Sequence, residues 1–168
     1  AFTSTAGQTK IIGNKMFIYF NGNHKDLHRQ VREGIAGVFL NSLYFGTNLQ
    51  DMVKNAVSSD IPEWFIAGLS AFIGESWNND LDEYMRGKLG KKRYRDFNDF
   101  LYENPKVAGH SFWNFINQQY GSSSISNLLY LTRINRNLES AFLYIMGEPL
   151  KQIKGQWLQH YQTRYALD

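Results

Sequence analysis

Residues His24–Phe45 have the sequence HKDLHRQVREGIAGVFLNSLYF, the longest helical pattern in the chain. Its apolar side chains recur at three- and four-residue spacing, which is the period of an amphipathic helix. The stripe consists of Leu27, Val31, Ile35, Val38, Phe39 and Ser42 or Leu43. Asn23 is a suitable N-cap, and Gly46 is a suitable stop at the C-terminal end. The stretch therefore predicts one long helix with an apolar stripe.

Two glycines lie inside this predicted helix, at positions 34 and 37. Each costs about 1 kcal/mol of helix propensity relative to alanine. We therefore expect Gly34 and Gly37 to permit the close approach of another element.

The rest of the sequence predicts a mainly α fold of the α+β type, in a single domain. Lys15–Phe20 is the best strand because it is rich in aromatic and β-branched residues, and a second strand is placed around Lys10–Ile12. The strand region thus covers about residues 10–20 and the helical region residues 24–165. Further helices are predicted at Leu49–Ser58, Pro62–Ser76, Asp80–Lys88, Phe97–Tyr102, Val107–Tyr120, Ile125–Arg133, Leu138–Met146 and Pro149–Tyr165.

Composition limits the class of protein. A chain of 168 residues with 43% hydrophobic residues has the length of one domain and can bury a core. The 12 Phe, 10 Tyr and 4 Trp predict that large rings fill that core. The absence of cysteine excludes a disulfide framework and a thiolate metal site.

Charge and hydropathy indicate neither a nucleic-acid partner nor an integral membrane segment. The net charge is only +3, and the basic residues are dispersed except for Lys88 and the run KKRYR at residues 91–95. Such a run can contact phosphates or an acidic lipid surface, but it more often forms a solvated loop. No apolar run approaches the roughly 18 residues of a membrane span. The start, AFTSTAGQTK, has no signal-peptide pattern, so we expect a mature or excised piece of a larger protein.

One segment of the long helix has part of a zinc peptidase pattern. In H-E-x-x-H, two imidazoles one helical turn apart hold zinc, and the Glu acts as general base on the bound water. In Val31–Val38 (VREGIAGV), these positions hold Arg32, Glu33 and Ala36. A guanidinium and a methyl group have no lone pair to give to zinc, so only the position of the general base is kept.

Two further segments follow in the order of one family. Ile61–Phe72 (IPEWFIAGLSAF) resembles P-x-W-x-x-E-G-L-x-x-[YF], the third-ligand helix of thermolysin-like, gluzincin-type peptidase MA-like domains, with Ala67 where the ligand Glu belongs. The matching residues are Pro62, Trp64, Gly68, Leu69 and Phe72. Residues 109–157, which begin GHSFWNFINQQYG, resemble the helical tail of the same domains.

The chain therefore resembles a degenerate member of that superfamily, similar to the peptidase-like domains beside β-propeller repeats in bacterial envelope proteins. The resemblance covers about residues 17–161 and implies a helical zincin-like domain over residues 1–168, in the periplasm or cell envelope. It implies no catalysis, no bound metal and no cofactor. The implied role is a binding or structural module for a protein, a peptide, a glycan or an adjoining domain of the same chain. We expect Trp64 and Trp77 to line any groove that is kept.

The charged residues at the degenerate site have several interpretations. We expect Glu33 to pair with Arg29, Arg32 or another basic side chain, or to face solvent. Arg32 either fills the space of the lost zinc ion and binds an anion, or is an ordinary exposed arginine.

One alternative is a metal-dependent hydrolase or peptidase with a non-standard site. His24 and His28 are spaced i and i+4, which is suitable for zinc, and Glu75 or Asp80 is a candidate third ligand. Lys25 occupies the position of the general base, however, and the pair precedes the matched motif by two turns. The sequence therefore favours the inactive domain.

The remaining candidate residues are expected to be structural. His110 is predicted to be a capping or packed histidine, and His160 to contact a helix C-terminus. Ser111 has no matching His and Asp, so it does not indicate a hydrolase triad. The aromatic stripe Phe112, Trp113, Phe115 and Tyr120 is expected in the core.

Overall fold

A computed structural model describes residues 9–12, 15–58 and 60–167 of the protein. Within this part, the chain forms a two-stranded antiparallel sheet followed by nine helices. The predicted mainly α fold with a short N-terminal β element is thus confirmed. Residues 13 and 14 of the predicted strand region, and the first eight residues, lie outside the described residues.

The elements follow the predicted order. The strands are β1 (Lys10–Ile12) and β2 (Lys15–Phe17), and the helices are α1 (His24–Phe45), α2 (Leu49–Ser58), α3 (Glu63–Gly74), α4 (Asn79–Lys91), α5 (Phe97–Glu103), α6 (Pro105–Tyr120), α7 (Ser122–Asn135), α8 (Leu138–Met146) and α9 (Leu150–Arg164). Each helix ends within three residues of its predicted bounds.

Strand β2 is shorter than predicted. The expected strand Lys15–Phe20 ends at Phe17, because the backbone of Tyr19 pairs with a side chain of α1 and not with a strand. The Tyr19 N–H donates to Gln30 Oε1 at 3.0 Å, and Gln30 Nε2 donates to the Tyr19 carbonyl at 2.8 Å. This buried glutamine therefore satisfies the backbone groups that a neighbouring strand would otherwise pair with.

Helix α1 begins and ends at the predicted caps. The Asn23 side chain accepts hydrogen bonds from the N–H groups of Lys25 and Asp26, which lack helical partners. At the other end, Gly46 has a φ of 91°, and its N–H donates to the Ser42 carbonyl. Glycine adopts this backbone conformation without a steric penalty, so the helix stops there.

The face that α1 buries coincides only in part with its apolar stripe. The buried residues are Gln30, Gly34, Ala36, Gly37, Leu40 and Tyr44. In contrast, Ile35 and Phe39 of the apolar stripe are 57% and 64% exposed. The buried face carries Gly34 and Gly37, which let neighbouring elements pack closely.

The two internal glycines of α1 admit the β-hairpin, as expected. A Cβ atom at Gly34 would lie 2.7 Å from Met16 Sδ, and one at Gly37 would overlap the side chain of Ile11. Thr9 adds a hydrogen bond from its hydroxyl to the Gln30 carbonyl at 3.2 Å. The hairpin is therefore held against the middle of α1, between Gln30 and Gly37.

Helices α3 and α6 cross with their backbones in contact. A Cβ atom at Gly68 would lie 2.5 Å from Gly109 Cα, and one at Gly109 would lie 2.7 Å from Gly68 Cα. Beside the crossing, Trp113 Nε1 donates to the Phe65 carbonyl at 3.0 Å. This pair of helices forms the centre of the core.

Aromatic rings fill the core around that crossing. Phe112, Trp113 and Phe115 are buried, as predicted, and Tyr120 is half-buried. Helix α9 packs against the same region through Trp157 Nε1, which donates to Ser111 Oγ at 3.1 Å. Ser111 is thus fully buried and engaged in a structural hydrogen bond.

None of the helices in the described ranges combines the length and apolarity that a membrane crossing needs.

Candidate functional site

A groove of about 790 Å³ lies where α1, β1, α3 and the beginning of α6 meet. We call it the α1–α3 groove. It is lined by Thr9, Ile11, Glu33, Gly37, Asn41, Phe45, Ile61, Glu63, Trp64, Ile66, Ala67, Ser70, Leu101, Pro105 and Lys106.

Two close contacts set the register of α1 against α3. A Cβ atom at Gly74 would lie 2.8 Å from Glu33 Cβ, and one at Gly37 would lie 3.4 Å from Ser70 Oγ. The numbering rises along one helix as it falls along the other, so the helices are antiparallel. Gly74 allows the end of α3 to lie directly against the backbone and side chain of Glu33.

Only part of the predicted degenerate site lies on this groove. Glu33 and Ala67 line it. Arg32 is exposed, and its Nε donates to the Gly74 carbonyl at 2.9 Å. Ala36 is buried and is not a lining residue. Because an α-helix turns by roughly 100° per residue, Arg32 is rotated away from the wall on which Glu33 lies.

Glu33 is held between two cations. Arg29 Nη1 donates to Glu33 Oε2 at 2.8 Å, and Lys106 Nζ of α6 lies 2.9 Å from Glu33 Oε1. The predicted pairing with Arg29 is confirmed, and the pairing with Lys106 joins α1 to α6. The carboxylate is engaged at both oxygens, so it is not placed as a free base in the groove.

The same ion-pair network extends to the first turn of α1. Arg29 Nη2 donates to Asp26 Oδ1 at 2.5 Å. This hydrogen bond from Arg29 lowers the pKa of Asp26 despite partial burial, and Gln30 adds a further hydrogen bond. The network fixes the orientation of the Arg29 guanidinium next to Glu33.

The two tryptophans expected at a groove lie in different places. Trp64 lines the α1–α3 groove, and its ring packs edge-on against Phe97 and Phe112 at 5.1 Å. Trp77 does not line it, because its Nε1 donates to Asp82 Oδ1 at 2.8 Å. Trp77 therefore joins α4 to α6 and α9, because its ring also packs against His110 and Tyr161.

The histidine pair of the alternative site lies at the beginning of α1. His24 and His28 are both exposed, and the His24 ring packs against Phe20 with centroids 5.4 Å apart. In the part of the chain that the structure describes, no three His, Cys, Asp or Glu side chains are grouped so that they could hold a metal ion. Neither Glu75 nor Asp80 thus completes a ligand set with this pair.

His110 is a packed histidine, as predicted. It is 3% exposed, and its ring lies edge-on to Trp77 and Phe72 at centroid distances of 5.2 and 6.2 Å. Its Nε2 has no hydrogen-bond partner among the described residues. Burial lowers the pKa of His110 to about 4, although a hydrogen bond with the backbone of Glu75 opposes the shift.

The basic run after α4 takes part in local ion pairs. Lys92 pairs with Glu103, and Arg95 Nε lies 2.7 Å from Asp99 Oδ2. These exposed contacts fit the predicted solvated loop between α4 and α5.

Neither family models nor curated proteins nor solved structures gave a match to this chain.

Proposed function

We propose that this domain is a catalytically inactive, metallopeptidase-like module of a cell-envelope protein, which binds a peptide segment of a partner in the α1–α3 groove. One observation carries the proposal. Among the described residues, two of the four positions of the degenerate site line the groove: Glu33, which is ion-paired, and Ala67, which offers only a methyl group.

The chemistry of the lining supports an inactive site. Peptide hydrolysis needs an activated water or nucleophile and a group that stabilises the developing negative charge. Glu33 is engaged by Arg29 and Lys106, and the hydroxyl of Ser70 donates to the Ile66 carbonyl at 2.8 Å. Neither residue is arranged to activate water or to attack a peptide bond.

The size and mixed character of the lining support binding. Binding cavities in proteins are typically about 300–1,000 Å³, and they combine apolar walls with a few polar groups that fix orientation. Here Ile11, Phe45 and Trp64 supply apolar surface, while Asn41 and Lys106 supply polar groups. An extended peptide finds both kinds of contact along this groove.

The exposed stripe of α1 supports a structural role beside the groove. Ile35 and Phe39 are one helical turn apart, and both are largely exposed. Exposed apolar residues that are adjacent on a helix often mark a contact surface. An adjoining domain of the same chain would cover this stripe without closing the α1–α3 groove.

We predict that Ala67→Arg blocks peptide binding. The substitution places a guanidinium in the groove, while Ala67 itself is exposed, so the core is left unchanged. Peptides would first be selected on the wild-type protein from a random displayed library and then measured by fluorescence polarisation. We expect the affinity of the selected peptides to fall by at least about tenfold, which equals about 1.4 kcal/mol.

The control for this experiment is Ile73→Arg. Ile73 lies on the same helix and is 49% exposed, but it does not line the groove. Selected peptides should bind this variant as they bind the wild type. Equal affinity for wild type and Ala67→Arg would place the binding surface elsewhere and reject the groove.

A further inference from the structure

A second cavity, of about 590 Å³, lies between the C-terminal half of α6 and α9. We call it the α6–α9 cavity. It shares no lining residue with the α1–α3 groove, so it stands apart from the proposed peptide site. The half-buried rings of Tyr120 and His160 provide aromatic surface. The buried Phe115 packs against both of them, with ring centroids at 6.5 and 5.3 Å. The rest of the lining is polar and rich in glutamine.

Two glutamine side chains of this cavity are available to a ligand. Gln119 of α6 and Gln159 of α9 are both exposed and both line it. Each side-chain amide offers an N–H donor and a carbonyl acceptor side by side. Two such amides, on facing helices, can hold a ligand that both donates and accepts hydrogen bonds.

A third glutamine is oriented in advance by the protein. The Tyr120 hydroxyl donates to Gln156 Oε1 at 3.0 Å, and Gln156 Nε2 donates to Glu148 Oε2 at 2.5 Å. These contacts fix the rotamer of Gln156. A ligand that contacts this amide therefore does not have to order the side chain.

The charges at the cavity are compensated. Arg164 lines it, but its Nη2 donates to Asp82 Oδ2 at 2.6 Å. Burial lowers the pKa of His160, and the nearby Arg164 adds to this effect, so the imidazole is neutral at pH 7. The lining therefore offers no free cation that would select a phosphate or a carboxylate.

We propose that the α6–α9 cavity binds a neutral saccharide of one or two sugar units. Adjacent hydroxyl groups of a sugar both donate and accept, so they match the paired donor and acceptor of each glutamine amide. The C–H faces of the ring are apolar and pack against the aromatic surface of Tyr120 and His160. The volume lies in the range of small-molecule sites.

The test is a titration of the ¹⁵N-labelled protein by two-dimensional NMR, which resolves glutamine side-chain amides. The probes are maltose, lactose and N,N′-diacetylchitobiose, with glucuronate and inorganic phosphate as charged probes. We expect the amide signals of Gln119 and Gln159 to shift and saturate at millimolar concentration with at least one neutral sugar. The charged probes should leave these signals in place.

Variants separate the cavity from general surface effects. Gln159→Ala and Gln119→Ala should each weaken binding of that sugar by about tenfold or more. Gln118→Ala is the matched control because Gln118 is exposed on the same helix, outside the cavity, and its amide contacts Asn114. It should bind as the wild type does. The proposal is overturned if no neutral sugar shifts the two amides, if both cavity variants bind like wild type, or if phosphate or glucuronate binds more tightly.

Discussion

Replacing Gly68 by alanine will lower the free energy of unfolding by about 3 kcal/mol. The added methyl group would lie 2.5 Å from Gly109 Cα, far inside van der Waals contact. Its neighbours at this crossing are backbone atoms of α6, which cannot rotate away as a flexible side chain can. The two helices must therefore separate, and the aromatic packing on both sides of the crossing loosens with them.

Urea unfolding followed by tryptophan fluorescence measures this loss. Gly109→Ala should show a similar loss because its methyl group meets Gly68 Cα and the Trp64 carbonyl. Gly87→Ala is the control, since position 87 lies in α4 and a Cβ atom there meets nothing within 4 Å. This control should gain about 1 kcal/mol from helix propensity. Wild-type stability of Gly68→Ala would show that α3 and α6 do not cross at this point.

Acidification from pH 7 to pH 4 will cost the folded protein about 3 kcal/mol through His110 alone. Burial lowers the pKa of its imidazole from 6.5 to about 4, and the charges of Lys106 and Arg29 act in the same direction. In the unfolded chain, the imidazole is protonated as the pH falls through about 6.5. In the folded chain, it stays neutral until the pH approaches 4. The contribution of the neutral His110 imidazole to the free energy of unfolding is therefore complete above pH 6.5, and it is lost as the pH falls from 6.5 to about 4.

His110→Phe isolates this titration. Its Nε2 has no partner among the described residues, so phenylalanine keeps the ring contacts with Phe72 and Trp77 and loses the hydrogen bond with Glu75. Between pH 7 and pH 4, the wild type should lose about 3 kcal/mol more of its free energy of unfolding than the variant loses. Carboxylates that titrate in this range affect both proteins and cancel in the difference. Parallel pH profiles would show that His110 is not buried as a neutral imidazole.

The bounds of the helices are predictable because they depend on local signals. Asn23 and Gly46 satisfy the end groups of α1 with residues adjacent in sequence, and the apolar period identifies the helix itself. The end of strand β2 is not predictable from such local signals. It ends early because Gln30, in the following helix, takes over the backbone pairing of Tyr19.

The apolar stripe of α1 does not by itself identify the buried face of the helix. Apolar periodicity ranks side chains by their hydrophobicity and so includes Ile35 and Phe39, which are largely exposed. Close packing instead favours the side with the smallest residues, and Gly34 and Gly37 are on the side that receives the hairpin. The two glycines indicate correctly which side of α1 another element approaches. The apolar stripe does not indicate this side.

The candidate site was predicted in part. The motif comparison predicts that Glu33 and Ala67 belong to one site. In the structure, both residues line the α1–α3 groove. The Lys106 ion pair was not predictable, because it joins residues 73 positions apart and no local pattern connects them. The α6–α9 cavity was not predictable for the same reason. Its glutamines come from two helices that are far apart in the sequence and meet only in the folded protein.

Under the proposed function, this domain holds no catalytic metal ion, and the metal content of the purified protein tests that proposal. Protein purified without chelator or metal affinity would be desalted and analysed by plasma mass spectrometry, before and after equimolar zinc is added. We expect close to no zinc per chain in both samples. Stoichiometric zinc that survives desalting, and is lost in His24→Ala and His28→Ala, would contradict it and establish the histidine pair as a metal site.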